Sequence, residues 1–188
     1  MFIQTEQTPN PASLKFLPGC EVMVRGTAEF TGADKAAASP LAQQLFKVEG
    51  IAGVFLGGDF ITITKTEAAN WIALKPMILG VIMEHFTTGR PVMNDEHLHD
   101  SSGHASSADG EDSEIVKQIK ELLDTRIRPA VAQDGGDIVF HSFEDGVVFL
   151  SMRGACAGCP SSTATLKSGI ENLLRHFIPE VNEVRAVN

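Results

Sequence analysis

The sequence predicts two small mixed α+β domains joined by a flexible acidic linker. The chain has 188 residues, which is too long for one minimal fold and suits two domains of roughly 75 to 95 residues. Strand-like and helix-like patterns occur in both halves, and a polar, acidic stretch separates them. We therefore predict domains over residues 1–93 and 113–188, with a linker over residues 94–112.

The linker prediction depends on composition. Residues 94–113 contain six acidic side chains and no Lys or Arg, so they hold −6 of the net charge of −9, and Leu98 is their one large apolar residue. Such a segment cannot bury enough apolar surface to offset the entropy lost on ordering. Its histidines are expected to be solvated rather than to bind metal; they are His97, His99 and His104.

The first half combines three strands with two helices. Alternating and β-rich patterns predict strands over 14–17, 51–56 and 60–64, the last two forming a hairpin across Gly57-Gly58-Asp59. Ser39 and Pro40 are typical of a helix start, and this short helix should end at Phe46 or Lys47. A longer helix is predicted over 70–86, with Pro76 as a candidate kink. Its apolar face comprises Trp71, Leu74, Ile78 and Ile82.

The second half has the predicted order α-β-β-α-β. A hairpin is expected from strands 137–143 and 147–152, because Glu144-Asp145-Gly146 favours a tight turn. Val184 and Ala186 indicate a final strand. The first helix should be capped by Asp112 or Ser113 and be bent or ended by Pro129. The helical apolar positions are Ile115, Ile119, Leu122, Leu123 and Ile127 in the first helix, and Leu166, Ile170, Leu173, Leu174 and Phe177 in the second.

Charge and hydropathy exclude two classes of partner. Neither half is basic, so the counterion release that drives phosphate binding has no source, and the sequence argues against nucleic acid. No apolar run approaches the roughly 20 residues that span a bilayer, so no membrane span is predicted. The N-terminus lacks the features of a secretory signal or a transit peptide, which makes the cytoplasm the expected compartment.

Two cysteines, Cys156 and Cys159, carry the most plausible chemistry. Their spacing lets both sulfurs turn toward one metal, and Ala157 and Gly158 keep the intervening backbone small. Pro160 suits the first position of the following helix, which would make Cys159 the N-cap. The positive end of that helix should favour thiolates, the form that binds metal. Arg153 and Lys167 are candidate flanking cations, although solvated surface charge is the default for both.

The number of cysteines suggests how such a site would be completed. An iron–sulfur cubane or an all-cysteine zinc site usually takes four thiolates, whereas the chain has three cysteines, and Cys20 lies in the other half. A buried or incidental thiol is the expectation for Cys20. The simplest completion is a second copy of the chain across a two-fold axis, which predicts a ligand-bridged homodimer.

Two alternatives stay open for the cysteine pair. It could perform thiol-disulfide redox chemistry, although an antiparallel hairpin precedes the motif and Pro160 follows it, unlike in thioredoxin-like proteins. It could instead bind structural zinc, for which His141 and His176 are the nearest histidines, at spacings that do not support a site. Asp134-Gly135-Gly136-Asp137 is interpreted as a turn rather than as an acid–base pair. No nucleotide-binding or hydrolase motif is found.

At these residues the second half resembles the NifU-like C-terminal domain of Nfu-type iron–sulfur proteins, and the first half resembles the Nfu N-terminal domain. The first resemblance rests on Pro129, Asp134-Gly135-Gly136-Asp137, Gly154, Cys156, Gly158, Cys159-Pro160-Ser161-Ser162, Thr165-Leu166-Lys167 and Gly169-Ile170-Glu171. The second rests on Thr8-Pro9-Asn10-Pro11, Leu14-Lys15-Phe16, Pro18-Gly19, Ser39-Pro40-Leu41-Ala42, Asp59-Phe60-Ile61-Thr62, Trp71 and Lys75-Pro76.

The resemblance implies a function without enzymatic turnover. Cys156 and Cys159 would ligate a [4Fe-4S] cluster shared between two subunits. The protein would assemble that cluster, or receive it from upstream cluster-assembly proteins, and deliver it to apo iron–sulfur acceptor proteins. The N-terminal domain would serve partner contacts and regulation. Because organellar relatives carry a presequence before the stretch that begins here at Thr8, the resemblance favours a bacterial cytoplasmic protein, or a processed protein of an organelle matrix.

Overall fold

The computed structural model describes residues 1–94, 114–157 and 160–187. The chain divides into two compact units, Met1–Ser102 and Gly103–Asn188. The predicted linker lies almost wholly outside the described residues, as do its three histidines and the proposed helix caps Asp112 and Ser113. The domain boundaries at 93 and 113 therefore stay predictions. The α+β class is confirmed, since each unit combines helices with its own sheet.

The first unit is a five-stranded antiparallel sheet whose strand order is β1-β2-β5-β4-β3. A core of buried side chains joins the sheet to two helices. The described elements are β1 (Gln4–Gln7), β2 (Ser13–Leu17), β3 (Ala28–Phe30), α1 (Pro40–Phe46), β4 (Ile51–Leu56), β5 (Ile61–Lys65) and α2 (Trp71–Thr87), with a 3-10 turn at Ala36–Ala38.

Most sequence predictions for this unit are confirmed. β4 and β5 form the predicted hairpin. Ser39 caps α1 as expected, since its Oγ accepts the Ala42 N–H at 3.1 Å, and it also donates to the Val92 carbonyl at 2.6 Å. The sequence did not predict the edge strands β1, which is wholly polar, and β3, which has three residues. Pro76 lies within α2, which continues on both sides of it.

One buried residue of α2 was not anticipated. His85 is fully buried, and neither ring nitrogen forms a hydrogen bond with any described residue. Burial, and then the charge of Arg90, lower the pKa of His85 below its usual value, although the nearby backbone of Arg90 and Pro91 opposes this shift. The lowered pKa favours the neutral imidazole at neutral pH, and its unsatisfied polar atoms cost stability rather than adding to it.

We expect His85→Leu to raise the free energy of unfolding of the first unit by about 1 kcal/mol, because it removes unsatisfied buried polar atoms. A lowered folded pKa means that the unfolded chain binds more protons, so the wild type should lose stability as pH falls below about 6.5. The variant should lose less. Calorimetry at pH 7.5 and 5.5 measures both effects. His141→Gln, at an exposed histidine of the other unit, is the control and should leave this transition unchanged.

The second unit has the predicted order α-β-β-α-β. Its sheet has the order β6-β7-β8, with β6 antiparallel and β8 parallel to β7. The helical segment before the first strand and the helix after the second strand both contribute to one core against this sheet. The elements are α3 (Glu114–Leu122), a π-helical turn (Leu123–Ile127), α4 (Arg128–Gln133), β6 (Gly136–Glu144), β7 (Val147–Gly154), α5 (Pro160–Phe177) and β8 (Glu183–Val187).

Two expectations for this unit are wrong in detail. Of the two alternatives for Pro129, that it ends the first helix is wrong, because it lies in the first turn of α4, directly after the wider π-helical turn; that it bends the helix stays a prediction. Phe177 is 49% exposed and is not a core residue; Ile178, after the helix, is buried instead. The tight turn is confirmed, since Asp145 and Gly146 have φ angles of 49° and 77°. None of the described helices is long and apolar enough to cross a bilayer.

Candidate metal centre

Cys156 lies in the turn that connects β7 to α5. The turn begins where Gly136 and Gly154 pair across the end of the β6–β7 ladder. The Ala155 N–H donates to the Gly135 carbonyl at 3.1 Å, and the Thr163 hydroxyl of α5 donates to the Cys156 carbonyl at 3.1 Å. A backbone hydrogen bond of the neighbouring Ala155 to the preceding loop and a side-chain hydrogen bond from the following helix thus hold the Cys156 backbone from both sides.

Gly136 supports the Cys156 side chain directly. A Cβ atom at position 136 would lie 2.5 Å from the Cys156 Sγ and 2.8 Å from the Arg153 carbonyl oxygen. Both distances are shorter than any tolerated contact, so only glycine lets the thiol occupy this place. Cys156 is 6% exposed and packs into the core of the unit.

The second cysteine of the motif, Cys159, lies outside the described residues. Helix α5 begins at Pro160, directly after it, as the sequence predicts. The role of Cys159 as the helix N-cap, and its role as a ligand, stay predictions.

The electrostatic surroundings of Cys156 differ from the expectation. Burial, followed by the negative charges of Asp134 and Asp137, raises the pKa of the Cys156 thiol to about 12. The expectation that the helix start favours a thiolate is therefore wrong for Cys156, because desolvation and two carboxylates outweigh that effect.

Asp137 belongs to a buried ion pair that the sequence did not reveal. The Arg128 Nε and one terminal nitrogen donate to its two carboxylate oxygens at 2.8 and 3.0 Å. The Asp137 side chain is 4% exposed, and that of Arg128 is 23% exposed. Asp137 and then Asp124 help to raise the pKa of Arg128 further above its usual value. The pair ties α4 to the start of β6, next to Gly136.

The Asp-Gly-Gly-Asp segment is the turn that was predicted. Asp134 ends α4, and Gly135 follows with a φ of 80°, which favours glycine. Its second carboxylate nevertheless has a structural role through Arg128. No sequence rule connects residues 128 and 137, since they lie on different elements.

The other candidate residues lie apart from Cys156 or on the surface. His141 is exposed at a bulge in β6, and His176 is exposed near the far end of α5. Cys20 is a half-exposed free thiol of the first unit rather than a buried one. Among the residues that the structure describes, no three His, Cys, Asp or Glu side chains are arranged to hold a metal ion.

The two candidate cations have different surroundings. Arg153 is half-buried and lies opposite Asp137 in the β6–β7 ladder, one residue before Gly154. The charge of Lys167 acts on Glu183 of β8 instead. The pKa of Glu183 is lowered mainly by its hydrogen bond with Arg185, and in part by the charge of Lys167.

Each of the two units matches the model of a known protein family. The model described as "Scaffold protein Nfu/NifU N terminal" matches residues 3–89, and the model described as "NifU-like domain" matches residues 119–185. The chain belongs to the Nfu family. The two matched ranges comprise the sheets and helices of both units except the start of α3 and the last two residues of β8. The range matched by the NifU-like model includes both cysteines of the motif.

Curated Nfu proteins of fruit flies are similar over the whole chain. A protein of Drosophila sechellia named "NFU1 iron-sulfur cluster scaffold homolog, mitochondrial" is 54% identical over 100% of this chain, and a protein of the same name from Drosophila virilis is 52% identical. The chain spans 65% and 62% of the length of these two relatives.

Two solved structures each cover about half of the chain. A solution structure of a NifU-like protein from Saccharomyces cerevisiae is 29% identical, with a TM-score of 0.46, and covers 50% of this chain and 86% of its own. A Staphylococcus aureus crystal structure is 26% identical, with a TM-score of 0.39, and covers 44% of this chain and 99% of its own. Both TM-scores are below 0.5, so neither likeness establishes the fold.

Proposed function

We propose that this chain is a scaffold or carrier that holds a [4Fe-4S] cluster between two protomers and delivers it to apo-proteins. The observation that carries the proposal is the position of Cys156 in the β7–α5 turn, where Gly136 leaves room for its sulfur. Family membership and the names of the fly relatives support an iron–sulfur cargo. Nothing in this role requires enzymatic turnover by the chain.

The cargo determines how the site is completed. Cysteine sulfur is the usual ligand of iron–sulfur clusters, and a cubane takes four such ligands. Each protomer supplies two, from Cys156 and Cys159, so that two protomers around a two-fold axis complete the shell. Separating the protomers removes half of the ligands, which makes release to an acceptor easier than from a site enclosed in one core.

Partners and compartment follow from the same proposal. Apo iron–sulfur proteins accept the cluster, and upstream cluster-assembly proteins provide it. The fly relatives are named mitochondrial, which favours the organelle matrix over the bacterial cytoplasm as the place of action.

Serine variants of the cysteines test the proposal. We expect Cys156→Ser and Cys159→Ser each to abolish cluster binding and the dimer that depends on it, because each removes two of the four thiolates of a shared site. Cys20→Ser is the matched control and should bind as the wild type does. Anaerobic reconstitution with iron and sulfide, followed by visible absorbance and gel filtration, provides the measurement.

Two results would favour the alternative functions. A reversible disulfide between Cys156 and Cys159 with reductase activity in iron-free protein would indicate a thiol-disulfide oxidoreductase. A colourless protein containing stoichiometric zinc would indicate a zinc-stabilised interaction module. Either result, together with failure to bind iron, contradicts the carrier proposal.

A further inference from the structure

The first unit contains a cavity of about 430 Å³ between strand β1 and the first turns of α2. By the β1–β2 register, Thr5 and Gln7 lie opposite Phe16 and Leu14, whose side chains belong to the core. Thr5 and Gln7 therefore extend the core-facing side of the sheet to its edge. They line the cavity from the sheet side, and Trp71 and Lys75 line it from α2.

The walls of this cavity are held in place by hydrogen bonds. The Trp71 indole N–H donates to the Pro11 carbonyl at 3.2 Å, which fixes the ring against the loop between β1 and β2. In that loop the Thr8 hydroxyl donates to the Asn10 carbonyl at 2.8 Å, and the Asn10 side-chain oxygen accepts the Ala12 N–H at 3.0 Å. The cavity is therefore preformed, which reduces the entropy lost on binding.

The charge of the cavity favours an acidic ligand. Lys75 is the one charged residue among the described residues that line it. Lys75 is half-buried and forms no ion pair or hydrogen bond with the described part of the chain. Glu6 is on β1 but faces the opposite side of the sheet, where it pairs with Lys15 at 3.3 Å. A positive cavity in a chain of net charge −9 complements a carboxylate.

The neighbouring strand favours an extended ligand. β1 is at the end of the five-stranded order and pairs with β2 on one side. An edge strand offers backbone N–H and C=O groups on its outer side, and extended peptides use such edges by adding a strand. In an added strand, alternate side chains point to the cavity side.

We propose that the β1 edge and this cavity bind an extended acidic peptide segment of a partner protein. The peptide backbone pairs with β1, one of its carboxylates pairs with Lys75, and an apolar side chain two positions away packs on Trp71. This site is in the unit without the Cys-x-x-Cys motif, so it goes beyond the proposed cluster-binding function.

Fluorescence of the full chain tests the proposal, because Trp71 is the only tryptophan and the chain has no tyrosine. The probe is the capped peptide Thr-Glu-Thr-Val-Thr-Glu, in which Val lies two positions from each Glu on the same face of the strand, and the control peptide has Gln in place of both Glu residues. We expect saturable change of Trp71 emission with the acidic peptide and at least tenfold weaker binding of the Gln peptide. Lys75→Met should weaken binding at least tenfold, whereas Lys47→Met, at an exposed lysine, should not.

Hydrogen exchange provides a second measurement that locates the peptide. Amides of Gln4–Gln7 should exchange more slowly in the complex, and those of the opposite edge strand β3 should not change. Absent or non-saturable emission change, equal binding of the Gln peptide, or an unaffected Lys75→Met variant would overturn the proposal. In another outcome, the peptide binds only after the six acidic residues of 94–113 are replaced by their amides. That result would mean that this acidic segment of the chain is the occupant of the cavity, which also overturns the proposal.

Discussion

Arg128→Met should lower the free energy of unfolding of the C-terminal unit by about 3 kcal/mol. The substitution removes the Arg128 guanidinium from the buried Asp137 carboxylate, and breaking a buried pair from one side costs about 3–5 kcal/mol. The lower end of this range applies because the Arg128 side chain is 23% exposed. Hydrogen exchange of the β6 and β7 amides under native conditions measures the loss of stability. Trp71 emission reports separately on the unfolding of the first unit.

Two further variants separate the buried pair from the surface pair. Asp124→Asn removes the charge of the more exposed Asp124, whose carboxylate accepts a hydrogen bond from Arg128 at 3.1 Å, and should cost about 0.5 kcal/mol. Adding Asp137→Asn to Arg128→Met should recover part of the stability, because a buried neutral amide costs less than a buried charge. A loss in Arg128→Met no larger than in Asp124→Asn would contradict the role of the ion pair.

Gly136→Ala should abolish most cluster binding and destabilise the unit by about 2 kcal/mol, a typical cost of overpacking a core. The added methyl group would meet the Cys156 sulfur and the Arg153 carbonyl oxygen. Since the backbone oxygen cannot give way easily, the Cys156 turn should move away from β6. Iron per chain after anaerobic reconstitution and the stability of β6 and β7 amides to exchange are the two measurements.

Gly169→Ala is the matched control for this prediction. Gly169 lies in α5, where an added Cβ would meet nothing within 4 Å, so the change should keep the iron content and stabilise the helix by up to about 1 kcal/mol. A Gly136→Ala variant that takes up as much iron as Gly169→Ala would show that the close packing of Gly136 does not position Cys156.

Local sequence patterns predicted the elements with strong periodicity. The hairpin at Asp145-Gly146, the Ser39 cap and the α-β-β-α-β order of the second unit all follow from neighbouring residues. β1 was missed because its pattern is wholly polar, and only its pairing with β2 makes it a strand. Helical structure continues past Pro129 after a π-helical turn, and the periodicity of apolar residues does not predict such a turn.

The sequence predicted which residues form the candidate metal centre, but not the surroundings of those residues. The spacing of Cys156 and Cys159 identified a candidate metal centre, and Cys156 lies in the expected turn before α5. Its burial, its support by Gly136 and the Arg128–Asp137 pair depend on contacts between distant positions. The same contacts explain why the expectation of a thiolate at Cys156 is wrong: the sequence shows a helix start but not the enclosing core.

The mass of the intact, anaerobically reconstituted full chain tests the central claim most directly. Native mass spectrometry of this material should find two chains with a single four-iron, four-sulfide cluster, and Cys156→Ser should be found as one chain without iron. A single chain that carries a complete cluster, or wild-type chains that take up no iron, would contradict the account.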